Sequence, residues 1–532
     1  MPKLNRLCQV LFIICLLQPV QNEMFSAMVE LERMLHAGLG VARDLRNYIA
    51  KEEERLARLK LVADDYERHS QEALADTGSH LGNPVNAFLL VKRFTSDWDN
   101  VQNTLIRTNS SEDFLSSLSS KLDNFPSYDD LDGAATALLR LQDTYKLSTQ
   151  SIAKGDIQGV KDAKPLSAED CYELGRVAYN GGDYYHSIIW VQEALKIWDT
   201  EINKTVDRVT LLDYLSFCLY KQGNYRAALN ATLQWLKEDP DHIRAQNNKR
   251  YYERLIAQEE VDGRKKGDDR VIRNERPYDE YRGSSEFQTY EALCRGEDVV
   301  DYKYAHKLTC QYIKPHPYFI LRPLKEEVAY LDPRIVILHD VITESEMAKV
   351  KELATPKLER AKVFALNQEK TSPGSKNRVC KSAWLKDAID PVIAKLSRKI
   401  DYFTGLSMDT AEELQVANYG IGGHYEPHFD FARKRETNTF EDWRGNRIAT
   451  VLFYMSNVEA GGATVFPYLG VKLFPIKGAA AFWFNLKKSG EGDYDTRHAA
   501  CPVLTGNKWV SNKWIHERSQ EFRYPCGLSE YE

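Results

Sequence analysis

At 532 residues the chain is too long for one hydrophobic core, and its length predicts about three domains. Its make-up, 43% hydrophobic and 28% charged, is that of an ordinary soluble globular protein. The net charge of −6 excludes the basic excess that marks a nucleic-acid binder.

The chain opens with Lys3 and Arg6 ahead of an apolar stretch from Leu7 to Leu17, which predicts a secretory signal peptide over residues 1–22. That stretch is shorter than the roughly 20 residues of a membrane span, and no later segment supplies one. Entry into the secretory pathway points to the lumen of the endoplasmic reticulum, where disulfides form. Removal of the signal would take Cys8 and Cys15 with it, leaving an odd number of cysteines. Nearness in sequence pairs Cys294 with Cys310 and Cys501 with Cys526. Sequons for N-glycosylation begin at Asn109, Asn203 and Asn230. The final Ser-Glu-Tyr-Glu is not a KDEL-type retention signal, so retention is expected to come from another source.

Residues 23–160 read as an α-helical oligomerisation domain. Leu31, Leu35, Ala42, Leu45, Ile49, Leu56, Leu59, Ala63 and Tyr66 follow steps of three and four, broken only at Gly38 and Glu52. That spacing predicts a long amphipathic helix of coiled-coil character, with self-association and an ordinary bundle both open.

Residues 166–258 hold a degenerate repeat. Ala178-Tyr179 precedes Gly182-Asp183-Tyr184, and Leu219-Tyr220 precedes Gly223-Asn224-Tyr225. Helix, glycine turn, tyrosine and second helix form a tetratricopeptide-like unit, and stacked units make a concave groove. Tyr172, Tyr179, Tyr184, Tyr185, Tyr214, Phe217 and Tyr220 would line it. Aromatic stripes at this spacing are commonly core, but such an excess of hydroxyls also suits an open groove for a polyproline II chain. Asp239-Pro240 predicts a further helix to about residue 256.

Residues 259–330 read as a linker carrying a disulfide, charged and without period in its first part. From 331 to 532 the pattern turns to short β-rich runs separated by glycine turns, including Leu414 to Tyr419, Ile448 to Met455, Ala479 to Asn485 and Trp509 to His516. Such runs predict an antiparallel barrel or jelly roll. The fold class is therefore multidomain α + β: an N-terminal helical, coiled-coil domain, a tetratricopeptide-like domain, and a C-terminal double-stranded β-helix (jelly roll).

His428-Phe429-Asp430 follows the glycine-rich turn after Tyr419, and alternation along a strand sends His428 and Asp430 to one face. His498 and His516 are the late histidines available as a third ligand. Two imidazoles and a carboxylate form the facial triad of non-haem Fe(II) oxygenases, and the same set also serves catalytic zinc. Lys508, an even ten residues beyond His498, offers a point charge for a cosubstrate carboxylate.

These residues closely resemble the catalytic signature of the collagen prolyl 4-hydroxylase α subunit, an iron/2-oxoglutarate oxygenase. The likeness lies in Tyr419-Gly-Ile-Gly-Gly-His-Tyr-Glu-Pro-His-Phe-Asp-Phe-Ala-Arg433, Gly445-Asn-Arg-Ile-Ala-Thr, Gly461-Gly-Ala-Thr-Val-Phe-Pro and Gly490-Glu-Gly-Asp-Tyr-Asp-Thr-Arg-His498. It extends to Asn86-Ala-Phe, Val91-Lys-Arg and Leu138-Leu-Arg-Leu-Gln-Asp-Thr-Tyr145, and so covers nearly the whole mature chain. The resemblance implies that His428, Asp430 and His498 hold Fe(II), and that Lys508 binds the distal carboxylate of 2-oxoglutarate. Tyr419 would hydrogen-bond that cosubstrate, and His516 would lie near its metal-binding end. O2 would be the second cosubstrate, with ascorbate protecting the iron. The resemblance also implies the two disulfides already paired by nearness, and a peptide-substrate domain whose groove uses Tyr179, Asp183, Tyr184, Tyr214, Phe217 and Tyr220. The expected reaction is 4-hydroxylation of proline in X-Pro-Gly repeats of collagen-like secreted proteins, coupled to decarboxylation of 2-oxoglutarate. The expected partner is protein disulfide isomerase, as β subunit of an α2β2 tetramer that would supply retention. Two residues depart from the family pattern: His424, expected at the pocket edge, and Phe217, where a tyrosine is expected. Rival readings are hydroxylation of lysine or of another proline-rich chain, and a non-catalytic collagen-binding chaperone. Intact His428, Asp430, His498 and Lys508 argue against the last.

Overall fold

The computed structural model describes residues 28–106, 128–158, 163–261, 274–299, 305–361, 378–420, 422–433, 436, 440 and 443–529. The signal-peptide stretch and the Asn109 sequon lie outside them. Among the described residues no helix is long and apolar enough to cross a membrane.

The first unit is built on helix α1 (Met28–Ala75), which carries the heptad seam. Along it Ile49 and Leu56 are about half exposed, and Ala63 one heptad on is exposed as well, whereas Leu59 and Tyr66 are half-buried. Over residues 49–66 one side of the seam is therefore exposed.

The second unit runs from residue 73 and takes in the rest of the described chain, apart from the part of 100–118 that joins the first. Helix α2 (Pro84–Lys92) starts where Asn83 accepts from the Val85 N–H and Pro84 fills the first turn, and α3 is Tyr128–Thr144. Two helix pairs follow, α4 (Ala168–Asn180) with α5 (Tyr184–Thr200), and α6 (Arg208–Lys221) with α7 (Tyr225–Glu238), capped by α8 (Ile243–Val261). Gly182 and Gly223 occupy equivalent turns, each with φ of +76°, which explains the repeated glycine. Ser167 and Asp170 form a capping box at the start of α4.

The expected linker is not a bare connection. From residue 274 it packs down, and Asn274 donates to the Tyr185 carbonyl. Helix α9 (Ser285–Cys294) then buries Tyr290 and Leu293 in the core beneath the helix pairs. Strands β1 (Cys310–Ile313) and β2 (Leu324–Leu331) already belong to the main sheet, so the β-domain starts about twenty residues before the expected boundary at 331.

The remaining strands are β3 (Arg334–His339), β4 (Glu359–Arg360), β5 (Lys381–Leu385), β6 (Leu414–Tyr419), β7 (Tyr425–His428), β8 (Arg447–Tyr454), β9 (Ala460–Gly461), β10 (Thr464–Phe466), β11 (Val471–Leu473), β12 (Ala480–Phe484), β13 (His498–Ala500), β14 (Val503–Thr505) and β15 (Lys508–His516). They form a nine-stranded sheet, β1-β2-β3-β12-β8-β15-β6-β5-β4, a four-stranded sheet, β11-β10-β13-β7, and the short pair β14-β9. Ile335, Tyr454, Trp483 and Val510 of the large sheet meet Phe466, Val471 and Leu473 of the small one in a shared core. Helices α10 (Glu344–Ala354) and α11 (Pro391–Thr404) cover the other face of the large sheet. The outer side of the small sheet, with Val465 and Ala499, and Leu504 of β14 join one core with α2, α3 and the helix pairs. Tyr145, the last residue of the Leu138–Tyr145 motif, donates to the Pro502 carbonyl at 2.5 Å within that core.

The cysteine pairing differs from expectation. Cys294 is bonded to Cys501, and Cys310 and Cys526 are exposed and unpaired. Packing of α9 on β10 and β11 carries Cys294 to the end of β13, whereas Cys310 opens the edge strand β1. Nearness along the chain was a poor guide because α9 leaves its sequence neighbours for the small sheet.

Candidate active site

The antiparallel pair β7–β13 sets His428 directly opposite His498, with ring centroids 4.4 Å apart. Asp430 follows two residues past His428, its carboxylate oxygens 3.7 Å from His428 Nε2 and 3.6 Å from His498 Nε2. The three ligand atoms lie within 4.8 Å of one another, and among the described residues no other His, Cys, Asp or Glu group is so arranged.

Neighbouring groups fix the state of each ligand. His428 Nδ1 donates to the Glu426 carbonyl at 2.8 Å and His498 Nδ1 to the Thr496 carbonyl at 3.0 Å, which leaves both Nε2 lone pairs facing Asp430. Burial holds the His428 imidazole well below its ordinary titration range, in the neutral form a metal requires. Burial acts to raise the Asp430 carboxyl, but His498, His428 and Arg447 outweigh it and hold the group at about 2. Its Oδ2 accepts from Thr450 at 2.8 Å, Thr450 from Asn485 at 2.9 Å, and Asn485 from the Trp483 indole at 2.9 Å. This buried relay aims the carboxylate. Two imidazoles with their Nε2 turned to one oriented carboxylate fit a divalent cation.

Beside the triad lies a cavity lined among others by Arg378, Tyr419, Tyr425, Trp483, Lys508 and Asn512. Strand β15 alternates Lys508, Val510, Asn512 and Trp514 into it. Lys508 is fully buried, donates to the Gly462 carbonyl at 2.6 Å, and is pulled down to about 7 by burial. Gly462 has φ of +67°, and a Cβ there would sit 3.3 Å from the lysine stem, so the Gly461-Gly462 turn makes room for this side chain. Lys508 is thus a buried amine without a carboxylate partner among the described residues, in the lining of the cavity. That fits a 2-oxoglutarate carboxylate.

His516 is placed differently from its neighbours on β15. A register shift falls between Ile515 and His516, and the imidazole lies between Glu412 (Nε2 to Oε1, 3.0 Å) and the Gly445 carbonyl. Glu412 also accepts from Arg447, which reaches the Asp430 carbonyl at 3.3 Å. His516 is therefore linked to the triad through Arg447. His424 is buried with its Nδ1 unpaired and lies off the cavity, lowered to about 3 by burial and then by Arg140. It is no fourth ligand.

Sequence reasoning missed Arg378, a buried cation that lines the cavity, donates to Gln415 at 2.7 Å and stacks 4.9 Å from the Tyr425 ring. Its signal was weak, because it precedes the short strand β5 and no motif flags it. Thr450 ends the Gly445–Thr450 motif but was given no role, and Asn485, just past β12, is flagged by no motif.

On the helix pairs, the half-buried rings form a continuous row. Tyr179 lies 4.7 Å from Tyr214 and 5.5 Å from Phe217, Tyr184 6.2 Å from Phe217, and Phe217 6.0 Å from Tyr220. The row runs on from Tyr220 to Tyr225 and Tyr251, beyond the residues expected from sequence. Asp183 caps α5 and pairs with His186 at 2.6 Å.

Comparison with known proteins agrees with this geometry. The chain is 46% identical to human prolyl 4-hydroxylase subunit alpha-1, covering 96% of each. The chain belongs to the prolyl 4-hydroxylase α-subunit family. Prolyl 4-hydroxylase subunit alpha-2 of Caenorhabditis elegans is also 46% identical, over 98% of this chain and 97% of its own. Residues 27–159 match the prolyl 4-hydroxylase alpha-subunit N-terminal region, 168–258 the prolyl 4-hydroxylase peptide-substrate-binding domain, and 414–516 the 2OG-Fe(II) oxygenase superfamily. Among solved structures, a viral collagen prolyl hydroxylase of Paramecium Bursaria Chlorella virus-1 with 2OG matches at 25% identity and a TM-score of 0.27, covering 34% of this chain and 94% of its own. As a family member the chain is a prolyl 4-hydroxylase, its 2OG-Fe(II) oxygenase domain implies Fe(II) and 2-oxoglutarate, and a His-Asp-His triad is present in it.

Proposed function

We propose that the chain hydroxylates proline to 4-hydroxyproline in X-Pro-Gly repeats of collagen-like secreted proteins, consuming O2 and 2-oxoglutarate and releasing succinate and CO2. The observation that carries this is that the clustered His428, Asp430 and His498 line the same cavity as the buried Lys508. His428, Asp430 and His498 would hold the iron, which when bound supplies the activation of dioxygen. Lys508 binds the distal carboxylate of 2-oxoglutarate and Tyr419 lies against the same end, which fixes the orientation of the keto acid. The Thr450–Asn485–Trp483 relay keeps the third ligand aimed, and the apolar walls exclude water from the reacting atoms. The ring row on the helix pairs holds the proline-rich chain away from the metal, so capture and chemistry use separate surfaces.

The secretory reading belongs with this proposal. The chain works in the endoplasmic reticulum lumen, with glycans at sequons such as Asn203 and Asn230, both exposed, and with ascorbate restoring oxidised iron. Protein disulfide isomerase is its β subunit in an α2β2 tetramer, and the open half of the α1 seam suits joining two α chains. The decisive assay is 2-oxoglutarate decarboxylation by the chain co-expressed with the isomerase, with Fe(II) and ascorbate, with and without a (Pro-Pro-Gly)n peptide. Peptide-stimulated turnover with 4-hydroxyproline by mass spectrometry is expected. Assembly without turnover would favour the binding-only reading.

A further inference from the structure

Arg497 directly precedes the ligand His498, and its side chain turns toward two other segments. Its guanidinium lies 5.1 Å from the ring of Phe429, the residue between His428 and Asp430. Its Nε donates to the carboxylate of Glu286, in the first turn of α9. The two charged side chains are only 19% and 17% exposed, so their attraction is far less screened than that of a surface pair. Phe429 itself lies against Phe431 at 5.0 Å and Tyr494 at 5.3 Å.

The backbone alone gives the metal triad a thin frame. β13 has three residues, and it meets β7 only at His498–His428 and Ala500–Tyr425, with an irregularity between. Helix α9, by contrast, is anchored at both ends. Ser284 caps its first turn, Cys294 is bonded to Cys501, and Arg295 donates to the Thr144 carbonyl at 3.0 Å. We propose that Arg497, held by Glu286 of this helix and stacked on Phe429, is a positioning residue that locks the strand of His498 against the His428–Asp430 segment, so that the helix following the groove domain completes the metal site. A guanidinium suits the task because its plane stacks on a ring while its edge grips a carboxylate; a lysine ammonium, a point charge, has no plane and edge with which to do both.

The inference rests on the reading of the triad as a metal site, and the experiment separates the two. The full chain, with its partner subunit where required, is titrated metal-free with Co(II) as a stand-in that dioxygen does not consume. Affinity is read by equilibrium dialysis and coordination by the visible Co(II) spectrum. Glu286→Gln and Arg497→Gln are expected to weaken Co(II) binding about tenfold or more and to alter the spectrum. Arg497→Lys should fall between these and the parent. Arg295→Gln, which loosens the same helix without touching Arg497, should keep parental affinity and spectrum. Parental Co(II) binding in both Glu286→Gln and Arg497→Gln overturns the inference, as does an equal loss in Arg295→Gln, which would mark general loosening. If Arg497→Gln does not fold, Glu286→Gln decides alone. A parent that binds no Co(II) would sink the metal-site reading itself.

Discussion

Lys508 and Tyr419 are register partners across β15 and β6, with the ammonium 4.9 Å from the tyrosine ring. Burial draws that ammonium from 10.5 to about 7, so near neutrality part of the cosubstrate-free protein carries an uncharged lysine. A bound carboxylate favours the charged form, and binding must then take up a proton. Affinity for 2-oxoglutarate should be level below about pH 7 and weaken above it, by up to about tenfold per pH unit. Calorimetry at pH 8 in two buffers of different ionisation enthalpy should register net proton uptake. Lys508→Arg, charged throughout, should lose the uptake; an unchanged signal would assign the proton elsewhere.

Thr450→Val keeps the shape of a buried side chain and removes the hydroxyl that Asp430 accepts from. It also leaves the Asn485 amide without that acceptor. We expect Fe(II) affinity to fall about 10- to 100-fold, with the fold retained. Iron titration followed by the visible band of the Fe(II)–2-oxoglutarate chelate would read it, and parental affinity would show that the relay does not steer the ligand.

Tyr179 touches three other rings of the row, Tyr184, Tyr214 and Phe217, and so joins the first helix pair to the second. Tyr179→Ala should raise the KM for (Pro-Pro-Gly)n about tenfold or more while leaving peptide-independent 2-oxoglutarate decarboxylation unchanged. A fall in both would mean that the ring supports the fold rather than the peptide.

The link between Cys294 and Cys501 closes a separation of 207 residues. Loop-closure entropy assigns a cross-link of that span about 5 kcal/mol, less whatever the unfolded chain already lacks in freedom. Non-reducing peptide mapping should recover a fragment joining these two cysteines, and alkylation of the native protein should label Cys310 and Cys526. Recovery of Cys294 with Cys310 instead would restore the pairing expected from nearness.

The sequence carried the chemistry further than the architecture. His428, Asp430, His498 and Lys508 were legible because period-two alternation and local motifs encode them within a few residues. The helix pairs were legible because Gly182 and Gly223 mark the same left-handed turn twice. Contacts that join distant segments were not. Arg378, Thr450 and Asn485 reach the site through sheet register, and the partner of Cys294 was set by where α9 lands. The displacement of His516 depends on a one-residue register shift, which alternation counting cannot see. The β1–β2 start of the sheet was hidden because an exposed edge strand carries little apolar pattern.

The order of the large sheet has a consequence for how the protein is made. Its last strand, β15, is not at an edge but in the middle, between β8 and β6. Until the ribosome has released residues 508–516, the two halves of the sheet have no common neighbour and their inner edges stand bare. A nascent or truncated chain ending before that point therefore presents two unpaired strand edges to any chaperone, and it lacks Lys508 as well. Completion of the sheet and completion of the cosubstrate pocket are the same event, so a chain terminated before β15 has neither a closed sheet nor the lysine of the pocket.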